Sequence, residues 1–142
     1  MATAYDVVNT DYRATPRVLR TPDEVGGVLQ FCRFEYEASA LEAASTIHIG
    51  TPIPKGARIV EIVVLADDLG TSTTTLEVGD SGDTDRFIAA YASGSATFKS
   101  LTKDGKIDNL HYQFTADTQL LITTAVGAIT GTIKGHFVYA RV

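Results

Sequence analysis

The feature that most constrains the fold of this chain is a series of short segments in which apolar and polar residues alternate, separated by turn signals. Alternation with a period of two is typical of a β-strand with one buried face. Eight or nine such segments follow residue 27. Short strands at this spacing favour an antiparallel sandwich or barrel over alternating strands and helices. We therefore predict an all-β fold, an antiparallel β-sandwich, with an eight-stranded jelly roll preferred and an immunoglobulin-like sandwich as the alternative.

The strand predicted most strongly covers residues 57–67, because both of its faces are apolar apart from Glu61. A strand that is apolar on both faces belongs in the middle of a packed sheet. Glu61 is an isolated carboxylate with no partner visible in the sequence. Alternation in this strand and in two later ones predicts a set of core residues: Val60, Ile62, Val64, Leu120, Ile122, Val126, Ile133, Phe137 and Tyr139.

Weaker signals predict other elements of secondary structure. Residues 28–37 alternate, which places Cys32 and Phe34 on the apolar face of a strand. Residues 39–44 contain good helix formers and predict one short helical turn. Residues 110–116 alternate again and predict a further strand.

Residues 1–26 differ in character from the rest of the chain. They contain Pro16 and Pro22 and sustain no period of 2 or 3.6 residues. We interpret residues 1–26 as an extended N-terminal arm and residues 27–142 as the β-sandwich domain, with a disordered tail as the alternative for the arm. The candidate partner-binding residues are the aromatic and cationic side chains of this arm: Tyr5, Tyr12, Arg13, Arg17 and Arg20.

Charge and hydropathy exclude several classes of protein. The net charge of −5 argues against a general nucleic-acid binder, which needs a basic face. No apolar run approaches the 18 residues of a membrane span, and the first residues lack the pattern of a secretory signal peptide. Acids concentrate between Glu35 and Asp85, which predicts either a solvated acidic rim or a surface that meets a basic side of a neighbouring subunit.

A search for catalytic chemistry finds no constellation. The three histidines, His48, His111 and His136, are far apart in sequence, and we expect surface histidines rather than a metal pair. Cys32 is the only cysteine, and its apolar neighbours predict a buried thiol that acts as a small hydrophobic group. No nucleophile elbow, phosphate-binding loop or dinucleotide motif is present. We therefore expect no enzymatic activity, no cofactor and no metal.

The segment GDSGDTD at residues 79–85 brings Asp80, Asp83 and Asp85 together. Three carboxylates around a glycine allow calcium binding, although the spacing does not match an EF-hand loop. We favour the other interpretation, a turn in which one aspartate accepts backbone hydrogen bonds and another pairs with Arg86.

Residues 53–90 resemble a segment of small structural proteins of tailed bacteriophages. The shared pattern is a Pro-x-Gly-Ala-Arg turn, an apolar strand, a D-x-L-G-T-S-T-x-L strand and a G-D-x-x-D-x-D-R-F segment. This chain carries it at Pro54, Gly56–Arg58, Asp68–Thr73, Leu76, Gly79–Asp80, Asp83 and Asp85–Phe87, with two residues rather than one between Thr73 and Leu76. The resemblance extends over about residues 45–142 and leaves the arm uncovered.

The resemblance implies a non-enzymatic head decoration (cement) protein. Such proteins are small and β-rich, often form homotrimers, and bridge subunits of the major capsid protein against the pressure of the packaged genome. The implied place is the capsid surface of the virion, after synthesis in the cytoplasm of the bacterial host, with neither nucleic acid nor a membrane as partner. An N-terminal arm that reaches a neighbouring capsomer is common in these proteins.

A second function remains open, namely a phage tail or fibre-associated module that binds a host-surface glycan. Sugar-binding sandwiches present flat aromatic side chains, and this chain has no tryptophan. Most of its other aromatic residues fall at predicted core positions, which leaves Tyr5 and Tyr91 uncommitted. A third function, a depolymerase, would need a deep polar cleft.

Overall fold

The computed structural model describes residues 28–71 and 73–141. These residues contain one short helix, α1 (Leu101–Asp104), and one 3-10 turn (Ile107–Asn109). The remaining regular structure consists of strands: β1 (Val28–Leu41), β2 (Thr46–Ile53), β3 (Arg58–Ala66), β4 (Thr75–Asp80), β5 (Asp83–Ala92), β6 (Thr97–Ser100), β7 (Thr118–Ala125) and β8 (Ile129–Arg141). The predicted all-β class is confirmed.

The strands form two four-stranded sheets that pack face to face. Sheet I has the order β1-β8-β3-β6, and sheet II has the order β2-β7-β4-β5. Every neighbouring pair is antiparallel. Strands β1 to β4 alternate between the two sheets, and so do strands β5 to β8. This chain path is the double Greek key of a jelly roll. The predicted jelly-roll sandwich is therefore confirmed.

The core lies between the two sheets and contains most of the residues that alternation assigned to it. Ile62 pairs with Phe137 across β3 and β8, and neither side chain is exposed. Leu120 and Ile122 of β7 are also fully buried and face them from sheet II. Three further predicted core residues are buried as well: Val64, Ile133 and Tyr139.

One core prediction in β3 is wrong because the strand contains a β-bulge. Ile59 pairs with Tyr139 and Glu61 pairs with Val138, so Val60 is an extra residue in β3. An extra residue reverses the alternation on one side of the bulge. Ile59 is therefore fully buried, whereas Val60 is only half-buried.

Three further predictions need correction. Residues 39–44 form no helical turn, because β1 continues to Leu41 through a bulge at which the Ala40 N–H donates to the Thr130 hydroxyl (3.0 Å). Residues 110–116 form no strand but a loop, which one isolated antiparallel bridge between Gln113 and Arg58 joins to the start of β3; beside it the Ile59 N–H donates to the Tyr112 carbonyl (3.0 Å). Val126 lies in the turn after β7 and is 59% exposed.

The predicted N-terminal arm, residues 1–26, lies outside the described residues. The described part of the chain contains no helix with the length and apolar character that a bilayer crossing requires.

Candidate functional site

The acidic segment at residues 79–85 forms a tight turn between β4 and β5. Asp80 ends β4 and is only 5% exposed. Its Oδ1 atom accepts hydrogen bonds from the backbone N–H groups of Gly82 (2.9 Å) and Asp83 (3.1 Å). Arg86 approaches the same carboxylate with Nε 2.6 Å from Oδ2 and Nη2 3.2 Å from Oδ1. Asp80 thus anchors the turn through backbone hydrogen bonds, as the favoured interpretation predicts, but the same carboxylate also pairs with Arg86, where the sequence suggested a second aspartate.

The neighbouring charges are also held by partners. Lys106 Nζ lies 2.8 Å from Asp85 Oδ2, and this hydrogen bond lowers the pKa of Asp85 below its ordinary value. The Asp80 carboxylate raises the pKa of Arg86, whose guanidinium lies 4.8 Å from the centre of the Tyr112 ring. These contacts tie the β4–β5 turn to the loop that follows α1.

We expect the β4–β5 turn to be indifferent to calcium. Asp80 directs its oxygens at Arg86 and at backbone N–H groups, so a cation would have to displace hydrogen bonds that hold the turn. A ligand that binds only the folded state raises its stability. The melting temperature should therefore be the same in chelator and in millimolar calcium. A rise of several degrees with calcium that disappears in Asp83→Ala would contradict this prediction.

The three histidines do not converge on a common site. His48 is exposed on β2, and His111 is exposed in the loop after the 3-10 turn. His136 is half-buried on β8, where its ring centre lies 5.2 Å from that of Phe31. Across residues 28–71 and 73–141 there is no group of three or more histidine, cysteine or acidic side chains that could hold a metal ion.

Glu61 has a structural partner that the sequence did not reveal. Its Oε1 atom accepts from the backbone N–H of Thr102 (3.1 Å), in the first turn of α1, and from that of Ile62 (2.9 Å). The Thr102 hydroxyl donates to the other carboxylate oxygen. The carboxylate therefore fastens the short helix to β3, and these hydrogen bonds occupy the oxygens that a general acid or base would use.

The thiol of Cys32 is half-buried rather than fully buried and packs against the edge of the core. Sγ lies 3.7 Å from the Thr51 hydroxyl. Gly50 makes this packing possible, because a Cβ atom there would lie 2.7 Å from Sγ and 2.5 Å from the ring of Phe137. The φ of Gly50 is +62°, which also favours glycine. The arrangement fits a packing role for the thiol.

The candidate partner-binding residues of the arm, Tyr5, Tyr12, Arg13, Arg17 and Arg20, lie outside the described residues. What the described residues offer instead is the side of sheet I that faces away from the core, called here the outer face. Four large apolar side chains on it are exposed: Leu29 by 61%, Phe31 by 66%, Leu65 by 46% and Phe98 by 52%.

A groove of about 710 Å³ runs along the outer face over β3, β6 and β8. Its walls include Leu65, Phe98, Lys134 and His136. Lys134 Nζ lies 3.3 Å from Glu35 Oε1 on β1, so the charges beside the groove are partly balanced within the chain. The groove is open, and its lining mixes apolar side chains such as Leu65 and Phe98 with polar ones, which suits a protein surface better than a small polar substrate.

The sequence contained a signal for the outer face that alternation alone did not exploit. Phe31 shares its side of β1 with Arg33 and Glu35, so it falls on the side expected to face solvent. A large aromatic residue among charged neighbours on that side indicates a contact surface. The groove gave no such signal, because β3, β6 and β8 are distant in sequence.

No protein-family model matches the chain, and no curated protein sequence matches it. Several chains in solved structures are similar to it in fold. A chain in the capsid asymmetric unit of cyanophage Pam1 has a TM-score of 0.68 and 21% identity, covering 90% of this chain and 96% of that chain. A chain in the capsid of Ralstonia phage GP4 has a TM-score of 0.57 and 23% identity, covering 89% and 92%.

A third similar chain comes from the acid-stable capsid of Helicobacter pylori bacteriophage KHP30. Its TM-score is 0.56 at 15% identity, and the match covers 80% of this chain and 88% of that chain. In all three cases the match spans most of both chains, so the compared proteins are of similar size. At these identities the likeness establishes a shared fold, a small jelly roll that accounts for most of each chain.

Proposed function

We propose that this chain is a non-enzymatic decoration (cement) protein that binds the major capsid protein shell of a bacteriophage head and stabilises it. The observation that carries the proposal is the likeness, across most of both chains, to small jelly-roll chains in the capsids of three different phages. The matches cover 88–96% of those chains, so the likeness concerns nearly the whole of each compared chain rather than one domain of a large shell subunit.

The geometry of the described residues supports a binding role over a catalytic one. The buried carboxylate of Asp80 and the carboxylate of Glu61 on β3 both accept hydrogen bonds that hold local structure. The largest unexplained feature is an apolar surface, the outer face, and apolar surfaces of this kind bind proteins.

The proposal includes a homotrimer on the capsid surface in which each copy contributes an N-terminal arm. Arms joined to one trimer bind with a raised effective concentration after the first has attached. Residues 1–26 supply aromatic and cationic groups for the shell, with Tyr5, Tyr12, Arg13, Arg17 and Arg20 as the contact residues. Major capsid protein and further copies of this chain are then the partners, and the virion is its location.

Co-sedimentation with phage heads that lack the decoration protein tests the proposal. We expect saturable binding to such heads and much weaker binding to heads already decorated, because the sites on the latter are filled. Saturation at a fixed number of copies per head would exclude nonspecific adsorption. Absence of binding to undecorated heads, together with binding to host cells or their surface glycans, would contradict the proposal and favour the tail or fibre module.

A further inference from the structure

Four connections between strands meet at one end of the sandwich, called here the loop end. They follow β1, β3, β5 and β7 and cover residues 42–45, 67–74, 93–96 and 126–128. The strand register brings them together. Leu41, the last residue of β1, pairs with Ile129, the first residue of β8. Thr75, which begins β4, pairs with the last residues of β5 and β7, Ala92 and Ala125.

Three of the four described non-glycine residues with a left-handed backbone lie at or beside the loop end: Ala40 (φ +49°), Ala44 (φ +60°) and Val126 (φ +58°). A hydrogen bond to a strand residue holds the backbone of two of them. The Ala40 N–H donates to the Thr130 hydroxyl (3.0 Å), and the Ala44 N–H donates to the Thr124 carbonyl (2.8 Å). A positive φ is a genuine outlier for a β-branched residue, so Val126 is the most strained of the three.

Packing among the described residues does not explain a valine at position 126. Its side chain is 59% exposed and lies outside the core cluster. Val126 opens the β7–β8 turn, and Gly127 after it also has a positive φ, of +105°. Asparagine or glycine is the usual residue at such a position, because both tolerate a positive φ. A strained residue whose side chain its own fold does not use indicates a function outside the fold.

The loop end is acidic. Its four connections contain Glu42, Asp67 and Asp68 and no lysine, arginine or histidine. All three acidic side chains are exposed, and none forms an ion pair with another described residue. At the opposite end, in contrast, Asp80 and Asp85 each pair with a cationic side chain. An exposed apolar tip among unbalanced acidic groups fits a basic protein surface that contains an apolar recess.

We propose that the loop end binds the shell of major capsid protein, with Val126 as its apolar anchor and Glu42, Asp67 and Asp68 facing basic groups of the shell. The inference rests on the proposed function for the identity of the partner, and it assigns the part of the sandwich that meets this partner. Two loop ends facing each other would bring like charges together, so the charge favours the shell over a twofold contact between copies.

The N-terminal arm and the loop end can contact the same shell. β1 begins at the end of the sandwich opposite the loop end, where Val28 pairs with Arg141. The 27 residues before β1 can span about 90 Å when extended, whereas the 14 residues of β1 span about 45 Å. The arm is therefore long enough to pass the whole sandwich and reach a surface that the loop end touches.

Val126→Asn separates the strain of the valine from its contact. Asparagine tolerates a positive φ, so the melting temperature should rise by a few degrees. Attachment to undecorated heads, measured by co-sedimentation, should weaken about tenfold or more, because the anchor is lost. Ile107→Asn is the matched control, because Ile107 is 80% exposed but lies on the 3-10 turn rather than in one of the four connections. It should leave attachment unchanged and should not raise the melting temperature.

Neutralising the acidic groups tests the charge of the partner. A triple variant with Glu42→Gln, Asp67→Asn and Asp68→Asn should attach about threefold or more weakly than the wild type at low salt. The difference should shrink as salt is raised, because exposed charges are then screened. Asp108→Asn is the control, because Asp108 is an exposed acid on the 3-10 turn. It should leave attachment unchanged.

Attachment of Val126→Asn as tight as that of the wild type would overturn the inference and leave the proposed function intact, since the wild type still binds heads. A melting temperature that does not rise would also contradict it, because the valine would then carry no strain. Sedimentation equilibrium without heads tests the other occupant: an oligomer that Val126→Asn disrupts would mean that the loop end meets a second copy instead. A wild-type protein that does not bind undecorated heads would contradict the proposed function itself, and the inference with it.

Discussion

We expect Ile62→Ala to lower the free energy of unfolding by about 2–5 kcal/mol, the range measured for truncation of large buried aliphatic residues. Ile62 is unexposed, lies in an inner strand of sheet I and packs beside Phe137 at the centre of the sandwich. Both sheets are held apart by neighbouring side chains, so the site cannot collapse to fill the space that the alanine leaves. Urea unfolding followed by circular dichroism measures the change.

A matched pair of valines in the same strand serves as the control and tests the bulge. Val64 is unexposed, whereas Val60 is the extra residue of the bulge and is only half-buried. The same change, valine to alanine, should therefore cost clearly more stability at position 64 than at position 60. Equal losses of unfolding free energy at the two positions would contradict the bulge, because they would mean that Val60 also faces the core. A loss below about 0.5 kcal/mol for Ile62→Ala would mean that Ile62 does not face the core.

The bulge shows why alternation predicted most of the core but not all of it. A period of two identifies the buried face of an uninterrupted strand, which is why Ile62, Leu120 and Phe137 were predicted correctly. One inserted residue reverses the assignment beyond it, and nothing in the sequence around Val60 marks the insertion. The bulge is set by pairing with β8, which lies about 75 residues away in the chain.

The loop at residues 110–116 illustrates a second limit. The alternation predicted burial correctly, because Phe114 is buried and Tyr112 packs against the core. The two rings contact each other edge to face, with centres 5.3 Å apart. One isolated bridge, between Gln113 and Arg58, joins this loop to β3, so the side chains alternate without a continuous ladder. In residues 110–116 the period of two therefore predicts which side chains are buried, but not that the segment pairs as a strand.

Local features of the candidate site were predictable, and distant ones were not. Arg86 is close to the aspartates in sequence, so the sequence suggested a pair between Arg86 and one of them, although not that Asp80 takes both this role and that of backbone acceptor. Glu61 looked isolated because its partner, Thr102, follows 41 residues later. The groove combines β3, β6 and β8, and its existence depends on the jelly-roll order of sheet I.

We expect deletion of residues 2–24 to leave the stability of the sandwich nearly unchanged while weakening attachment to heads more than tenfold. Among the described residues the core cluster begins at Phe34, so the deletion removes none of the described packing. The deleted residues carry few large apolar side chains and cannot form a core of their own, so their binding energy has to come from a neighbour. In the proposed trimer, which carries three arms, a modest loss per arm multiplies into a large loss of avidity.

Sedimentation equilibrium separates a direct effect of the arm on attachment from a loss of the oligomer. The deletion variant should show the same oligomer as the full chain, because the deletion leaves residues 25–142 unchanged. Replacing Arg13, Arg17 and Arg20 by alanine in the full chain should cause part of the loss of attachment that the deletion causes. Raising salt should weaken attachment of the full chain more than that of this triple variant, because exposed charge pairs are screened over about 10 Å at 0.1 M. Equal binding of heads by the full and deleted chains would mean that the arm does not contribute to attachment and that the sandwich domain alone binds the heads.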